Sequence, residues 1–309
     1  YFGDSVRNNM DRIALDQGWV DTFEDASDVE NFNVPMTKFD GANDYLTATD
    51  AVLGQTDGTD YTLSFWVRMN TDDSDNLVLR TTNNRFSVNV QNGANDQIQV
   101  GYSTSASTVL ADVRSTSTVL IADGLTHIAI TIQSDHGTQA DRIRIYKDGV
   151  KETNINDIGP NSGTIDITDN TFAVGSQTAG GAYLGGDIGQ LYFAEEWIDL
   201  DVADNLALFY DGTQNPVDMG TDGSTPTGNQ PLIYLNNQAD TFQNNLGSGG
   251  NFTEAGQLVD GGYLDTPLTN ALYSSESFTN PYELVQNSGK ELRGTHQNMS
   301  NTQNQRQGF

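Results

Sequence analysis

The chain has no cysteine, few basic residues and no long apolar run. The absence of cysteine excludes disulfides, thiolate catalysis and cysteine-ligated metals. The 14 Lys and Arg residues are outnumbered by 42 Asp and Glu residues, so the formal net charge is −28. A surface of this charge repels the phosphates of nucleic acids and anionic membranes, and we expect no nucleic-acid partner.

No stretch approaches the ~18 consecutive apolar residues that a membrane-spanning helix needs, so we expect no membrane insertion. The three histidines, His127, His136 and His296, are too far apart in the sequence for a local zinc motif. His127 lies on the polar face of a predicted strand, which favours a hydrogen-bonded structural histidine. The sequence therefore predicts no histidine-based metal or catalytic centre.

The clearest pattern lies in residues 125–150, where side chains alternate between apolar and polar along two strands. Isoleucines occupy every second position of 128–132, and residues 61–69 alternate in the same way with an aromatic-rich core face. Asp148 and Gly149 then form a two-residue turn. A sheet with one buried face needs a second sheet to cover it, so the pattern predicts an all-β, two-sheet antiparallel sandwich.

Shorter alternating segments recur at intervals of about 8 to 12 residues, a spacing typical of β-sandwiches. Turn residues between Phe39 and Tyr45 predict a hairpin-like start to the sandwich. Asp199 or Asp201 is predicted to cap a short helix that ends at Asp211-Gly212 and forms a lid over one edge. The remaining predicted strands are 77–79, 86–90, 98–102, 109–113, 119–121, 188–193 and 232–235.

The sequence predicts a sandwich over residues 37–260 between two arms. Residues 1–36 form an N-terminal arm with a short helix at Ser5–Leu15, which has apolar residues at helical spacing. Residues 261–309 form an extended C-terminal arm, because their apolar residues are sparse and have no period. We expect this arm to bind a neighbouring subunit, which predicts a homo-oligomer.

Five motifs follow one another in the order found in laminin-G-like, concanavalin-A-like jelly rolls, and the region from about residue 37 to 210 resembles that family. The resemblance implies a jelly-roll sandwich. The motifs are Phe39-Asp-Gly-Ala-Asn-Asp-Tyr-Leu46, Tyr61-Thr-Leu-Ser-Phe-Trp-Val-Arg68, Thr126-His-Ile-Ala-Ile-Thr-Ile132, Ile145-Tyr-Lys-Asp-Gly149 and Gly185-Gly-Asp-Ile-Gly-Gln-Leu-Tyr192.

A second resemblance covers residues 18–25, 215–228, 231–235 and 245–253. These segments are similar to parts of laminin-G-like virion proteins of tailed bacteriophages. The resemblance implies a structural component of a phage particle, such as a capsid decoration, fibre or tail-associated protein, located on the extracellular virion surface. Its partners would be other virion proteins and copies of itself. The alternative is a carbohydrate-binding adhesin or receptor-binding module with a cell-surface glycan as partner.

Enzymes with this fold hydrolyse glycosides with two carboxylates that face each other at ~5 to 9 Å. Glu195 and Glu196 are adjacent, so their side chains point to opposite faces of a strand, and helix capping explains Asp199 and Asp201. We therefore expect no enzyme and no catalytic residues. Trp66, Tyr192 and Trp197 could stack on sugar rings, but packing in the core or on a sheet face is the favoured interpretation for each.

Laminin-G-like domains often bind one calcium ion at the rim of the sandwich, so the resemblance leaves calcium as a possible ligand although no cofactor or metal ligand set is predicted. No complete twelve-residue calcium loop is present, because Asp73-Ser-Asp75 lacks the glycine and the closing glutamate. The oxygen-bearing residues of the predicted rim loops are Asp40, Asn43, Asp44, Asp57, Asp60, Asp72, Asp73, Asp75 and Asp187.

Overall fold

The structure is a computed structural model. It describes residues 34–71, 75–92, 96–168, 170–177, 180–212, 216–263, 283–287 and 291–295. The helices are α1 (Asp50–Leu53) and α2 (Ala203–Leu206), with single 3₁₀ turns at Thr82–Asn84, Ile121–Asp123, Gln139–Asp141 and Ala239–Thr241. The strands up to the middle of the chain are β1 (Pro35–Asp40), β2 (Tyr45–Ala48), β3 (Asp60–Met69), β4 (Asp75–Thr81), β5 (Phe86–Asn92), β6 (Gln97–Ser103), β7 (Val109–Thr118), β8 (Leu125–Gln133) and β9 (Ile143–Lys147). The later strands are β10 (Val150–Lys151), β11 (Asn154–Ile158), β12 (Phe172–Val174), β13 (Gly185–Ala194), β14 (Ile233–Leu235), β15 (Thr253–Ala255), β16 (Val259–Tyr263), β17 (Glu283–Asn287) and β18 (Glu291–Thr295).

The strands form two large sheets, and each pair within them is antiparallel. The first sheet has the order β10-β9-β8-β3-β13-β1-β16, and β14 also pairs with β13. The second sheet has the order β11-β7-β6-β5-β4-β12-β2-β15. Strands β17 and β18 form a separate two-stranded sheet. The predicted all-β, two-sheet antiparallel sandwich is confirmed.

An apolar core fills the space between the two sheets. Its centre is an aromatic cluster in which Tyr61 and Phe193 of the first sheet stack with ring centroids 5.6 Å apart. Phe86 and Phe172 of the second sheet pack on Phe193 at 5.4 and 5.7 Å. Such ring pairs contribute about 0.5–1.5 kcal/mol beyond the burial of their area, so they help to hold the sheets together.

The turn at residues 148–149 forms as the sequence predicted. Asp148 has φ 48° and Gly149 has φ 74°, as a two-residue hairpin turn requires, and Val150 pairs with Lys147. The predicted strand at 119–121 is wrong, because β7 ends at Thr118 and a 3₁₀ turn begins at Ile121.

The predicted hairpin at the start of the sandwich is also wrong. Strand β1 pairs with β13 and β16 in the first sheet, whereas β2 pairs with β12 and β15 in the second. The Oδ1 atom of Asp40 accepts hydrogen bonds from the backbone N–H groups of Ala42, Asn43 and Asp44 at 2.8, 3.0 and 3.2 Å. These bonds close a loop that carries the chain from one layer to the other.

The central strands of the first sheet, β3, β8 and β13, are buried on both faces, whereas the sequence predicted one buried face. The covering segment, residues 195–212 and 216–219, packs on the outer face and not on an edge. Thr62 Oγ1 donates to the carbonyl of Glu196 at 2.9 Å, and Thr131 Oγ1 donates to the carbonyl of Ile198 at 2.9 Å. These two threonine hydroxyls therefore bind backbone carbonyls in place of water. The apolar cluster beneath the covering segment consists of Ala129, Tyr146, Tyr192, Ala194, Ile198, Leu200, Phe209, Met219 and Tyr234.

Asp199 and Asp201 do not cap the helix that follows them. Helix α2 begins at Ala203, and its N-terminal end has no side-chain cap. The guanidinium of Arg144 contacts Asp199 Oδ1 at 2.6 Å and Asp201 Oδ2 at 3.3 Å, and Lys151 Nζ lies 2.8 Å from Asp201. The Arg144 side chain is only 8% exposed, so it requires charged partners, and these ion pairs fasten the covering segment to β9 and β10.

His127, on β8 next to β3, is fully buried beneath the covering segment, and it is hydrogen-bonded as expected. Its Nε2 atom lies 2.9 Å from Ser64 Oγ, and its ring stacks on Tyr210 with centroids 5.2 Å apart. Burial lowers the pKa of His127 to about 3, because the apolar surroundings disfavour the charged imidazolium.

The boundaries of the sandwich differ slightly from those predicted. Strand β1 begins at Pro35, and β16 continues to Tyr263 beside it, so residues 261–263 belong to the first sheet. The helix predicted at Ser5–Leu15 lies outside the described residues, as does the C-terminal arm apart from β17 and β18. Within the described ranges, no helix has the length and apolarity needed to cross a bilayer.

We predict that folding stability falls as the pH drops below about 6.5, because His127 binds a proton near that pH when unfolded but only near pH 3 when folded. Through His127 alone, the free energy of unfolding falls by up to ~1.4 kcal/mol for each pH unit below about 6.5. Urea unfolding of His127→Gln and His136→Gln between about pH 7 and pH 5 tests this, since His136 lies in a loop and serves as a matched control. The His136→Gln variant should keep the pH dependence that His127→Gln loses, and equal slopes would contradict a neutral buried imidazole.

Candidate functional site

A groove of about 340 Å³ lies on the outer face of the second sheet. Strands β4 to β7, the end of β11 and residues 177 and 182 line it. Its volume falls in the range of about 300–1,000 Å³ that small-molecule sites occupy. Because the covering segment occupies the outer face of the first sheet, we take this groove on the second sheet as the candidate site.

The register of the second sheet places five groove-lining residues in one row. Arg80 pairs with Ser87, Ser87 with Gly101, Gly101 with Asp112, and Asp112 with Ile158. Directly opposed residues project from the same face of a sheet, so this row crosses five strands. Along the row lie, in order, the cationic side chain of Arg80, the hydroxyl of Ser87, Gly101, the carboxylate of Asp112 and the apolar side chain of Ile158.

Gly101 provides the depth of the groove. A Cβ atom at this position would lie 3.1 Å from Ser87 Oγ and 3.8 Å from the carbonyl oxygen of Ala111. A larger side chain would therefore fill the middle of the row. Because Gly101 has no side chain, it leaves empty space above the centre of the sheet.

Two carboxamides in the floor are held in fixed orientations by Asp112. A carboxylate can only accept hydrogen bonds, so Gln99 directs Nε2 toward Asp112 Oδ1, at 2.5 Å. Gln99 Oε1 then accepts from Asn89 Nδ2 at 3.3 Å. Asn89 Oδ1 is buried and has no hydrogen-bond partner among the described residues. A buried acceptor without a partner costs about 1–3 kcal/mol, so a ligand that donates a hydrogen bond to Asn89 Oδ1 would remove this cost.

One wall of the groove is apolar, and another contains a strained backbone position. On the β7–β11 side, Val109 and Ile158 are 45% and 40% exposed. On another wall, Ala182 has φ 48°, a left-handed conformation that costs about 1–3 kcal/mol for a residue with a side chain. Strain of this size persists only where the surrounding structure enforces it.

Most side chains that line the groove can form hydrogen bonds. Asp112 supplies the one carboxylate among its described lining residues. Hydrolysis of a glycoside commonly needs a second carboxylate across the scissile bond. Ser87 and Ser103 also line the groove, but no histidine does so within the described part of the chain. The arrangement offers oriented polar groups and one apolar wall to a bound ligand.

Comparison with known protein families settles the family of this chain. A model described as the concanavalin A-like lectin/glucanases superfamily, of the type Laminin_G_3, matches residues 40–196. The chain belongs to this superfamily. The laminin-G-like, concanavalin-A-like resemblance seen in the sequence is thereby confirmed.

Solved structures with similar folds include other proteins of diverse origin. A heptameric SAP-like pentraxin from Limulus polyphemus is 13% identical, covers 74% of this chain and 95% of its own, and has a TM-score of 0.48. A candidate carbohydrate-binding protein from Bacteroides ovatus is 14% identical, with coverages of 74% and 60% and a TM-score of 0.49. Domain 4 of an arabinanase from Geobacillus stearothermophilus, in complex with arabinotriose, is 16% identical, with coverages of 50% and 69% and a TM-score of 0.38. Comparison with curated proteins yields no match.

In this member of the superfamily, protein groups already bind most of the rim carboxylates considered for calcium. Asp57 Oδ1 accepts from the N–H groups of Ile167 and Thr168 at 2.8 and 2.7 Å. Asp60 Oδ2 accepts from a neighbouring threonine hydroxyl at 2.9 Å. In the described part of the chain, no three acidic or histidine side chains are placed to hold a metal ion. Asp72 and Asp73 lie outside the described residues, as does the side chain of Asp75.

The structure brings two of these candidates, Asp40 and Asp44, together. Asp44 Oδ2 accepts from the backbone N–H of Asp40 at 3.1 Å, and Asp44 Oδ1 accepts from that of Gln257 at 2.7 Å. Burial raises the pKa of Asp44, and the nearby charges of Asp40 and Glu254 act in the same direction. Burial also acts to raise the pKa of Asp40, but its backbone hydrogen bonds outweigh this effect and lower the pKa overall. Both carboxyl groups thus shape the loop between β1 and β2.

The aromatic and glutamate candidates do not form a second site. Trp66 and Tyr192 are fully buried, which confirms the packing interpretation for both. Trp197 is partly buried, with the guanidinium of Arg144 lying 5.6 Å from its ring centroid. Glu195 accepts two hydrogen bonds from Thr56, at 2.5 and 2.9 Å, and burial raises its pKa.

Sequence reasoning missed the groove, although a signal was present. Residues 87, 89, 99, 101 and 112 occupy the outward positions of strands whose inward residues were recognised. These outward residues are two amides, one hydroxyl, one glycine and one carboxylate. Only the register across β4 to β7 shows that they meet.

We predict that Asp187→Ala lowers the free energy of unfolding by about 1–3 kcal/mol, because it removes the buried acceptor of Asn70 and of the partly exposed Arg68. The carboxylate of Asp187 is 2% exposed, forms an ion pair with Arg68, and accepts from Asn70 Nδ2 at 2.7 Å. The exposed Asp135→Ala variant should change stability by no more than about 0.5 kcal/mol. Urea unfolding in EDTA and in excess calcium should give the same loss for Asp187→Ala, and a loss seen only with calcium would identify a metal ligand.

Proposed function

We propose that the protein is a carbohydrate-binding module and that the groove on the second sheet binds a neutral saccharide. The observation that carries this proposal is the polar row across β4 to β7, with Gly101 opening space above oriented amides. The superfamily match supports this function, because its description includes lectins.

The chemistry of the floor suits sugar hydroxyl groups, each of which can both donate and accept a hydrogen bond. Gln99 and Asn89 present amide groups whose orientation Asp112 fixes before any ligand arrives. Preorganised groups of this kind lose little freedom on binding, so more of the interaction energy contributes to affinity. The groove can therefore recognise a pattern of hydroxyls.

Charge favours a neutral saccharide over an acidic one. The net charge of −28 repels an anionic ligand as it approaches, and Asp112 lies in the floor itself. Arg80 stands at the far end of the row, but it already has an interaction partner within the protein. Because Asp112 is the one carboxylate among the described residues that line the groove, we propose binding without hydrolysis.

We predict that Gly101→Val weakens saccharide binding at least tenfold, because the new side chain fills the groove beside Ser87. Gly137→Val is the matched control, since Gly137 lies in a loop and no atom would come within 4 Å of an added Cβ. Both variants should unfold near the wild-type urea midpoint. A glycan array screens for ligands, and titration calorimetry with the best ligand should show at least a tenfold loss for Gly101→Val alone. Unchanged affinity in a folded Gly101→Val variant would exclude the groove as the site.

A second proposal concerns where the module acts. The resemblance of residues 215–228 and 245–253 to virion proteins of tailed bacteriophages supports a location on a phage particle, with other virion proteins and copies of this chain as partners. The superfamily match supports the carbohydrate-binding alternative more than a purely structural role. A particle-borne module that contacts a cell-surface glycan would combine both functions.

We expect an antibody against the chain to label the surface of purified particles in electron microscopy, and light scattering of the isolated protein to give a mass above that of one 33.5 kDa chain. Particles that lack the chain would refute the virion location. A monomeric mass would refute self-association. Neither result would affect the glycan assay, which tests the groove separately.

A further inference from the structure

The apolar wall of the groove stands directly beside its carboxylate. Ile158 pairs with Asp112 in the register of β11 and β7, beside a β-bulge between Asn156 and Ile158, and both residues line the groove. Val109, at the start of β7, lines the same side of the groove. Val109 and Ile158 are 45% and 40% exposed, so methyl groups face the space into which a ligand would enter.

The two features together match a substituent that has an N–H donor next to a methyl group. A carboxylate accepts several hydrogen bonds, so Asp112 can accept a further donor beside the one from Gln99. A methyl group that is separated from that N–H donor only by a carbonyl carbon would be buried against Ile158 and Val109. An acetamido group has this arrangement, whereas a hydroxyl at the same position would leave the apolar wall facing water.

We infer that the groove is specific for a sugar that carries an acetamido group, such as an N-acetylhexosamine. The inference rests on the proposed saccharide-binding function and names its substrate class. The acetamido N–H donates to the Asp112 carboxylate, and the acetyl methyl packs on Val109 and Ile158. The ring hydroxyls meet the amides of Asn89 and Gln99. The ligand is neutral, in agreement with the acidic surface.

The test compares N-acetylglucosamine and N-acetylgalactosamine with glucose and galactose by titration calorimetry and ligand-observed NMR. The acetamido sugars should bind at least about tenfold more tightly than the parent hexoses, since they gain one buried methyl and one bond to a charged acceptor. Saturation transferred from the protein should be strongest at the acetyl methyl.

Val109→Thr and Ile158→Thr replace a methyl or ethyl group by a hydroxyl and keep a β-branched side chain. Each should reduce the preference for acetamido sugars by about fivefold, with little effect on the parent hexoses. Val259→Thr is the matched control, because Val259 is also 45% exposed on a strand but lies in the first sheet. This variant should keep the wild-type preference.

The outcomes separate this inference from the proposed function. If parent and acetamido sugars bind equally and Gly101→Val removes both, the groove is a saccharide site and the acetamido specificity is refuted. A preference that survives in both threonine variants also refutes the role of the apolar wall. If neither these sugars nor a glycan array gives binding, the proposed function fails and the inference fails with it.

Discussion

The contact between the two sheets is the constraint on which the rest of the structure depends. Alternate side chains of nearly every strand are committed to that core, with Tyr61 and Phe193 meeting Phe86 and Phe172 at its centre. Only the outward positions remain available for anything else. On the first sheet these positions bind the covering segment, and on the second sheet they form the groove. The groove therefore lies on the second sheet because the covering segment occupies the outer face of the first.

The covering segment explains why the two faces differ. Thr62 and Thr131 bond to its backbone, and Arg144 pairs with its carboxylates. A sheet face that carries hydroxyls, a histidine and a tryptophan is in this way removed from water, with the hydroxyls of Thr62 and Thr131 bonded to the covering segment. Among the described residues, no such segment lies over the groove on the outer face of the second sheet. Its amides therefore bond to one another and to Asp112.

Local patterns in the sequence were enough to predict the sandwich. Strands β3, β8 and β9 show period two within a few residues, and Asp148-Gly149 specifies its turn through the backbone preferences of two positions. The five motifs in order identified the family. The loop at residues 40–44 was misread because a turn sequence does not say whether the next strand joins the same sheet or the opposite one.

The candidate site could not be predicted from the sequence in the same way. Arg80 and Asp112 are 32 positions apart and become neighbours of one groove only through three successive strand registers. Likewise, Asp199 and Asp201 precede a helix in the sequence, but their partner Arg144 comes from a strand. The sequence pattern shows which side chains each strand carries, whereas the pairing of distant strands decides which of these side chains lie together.

The pairing of β1 with β16 at the edge of the first sheet has a mechanical consequence. The described sandwich begins at β1, which lies beside β16, and Pro35 is opposite Tyr263. A tension applied through both termini of the sandwich would load the hydrogen bonds of this pair one after another, so the edge would peel open at low force while the aromatic centre stayed intact.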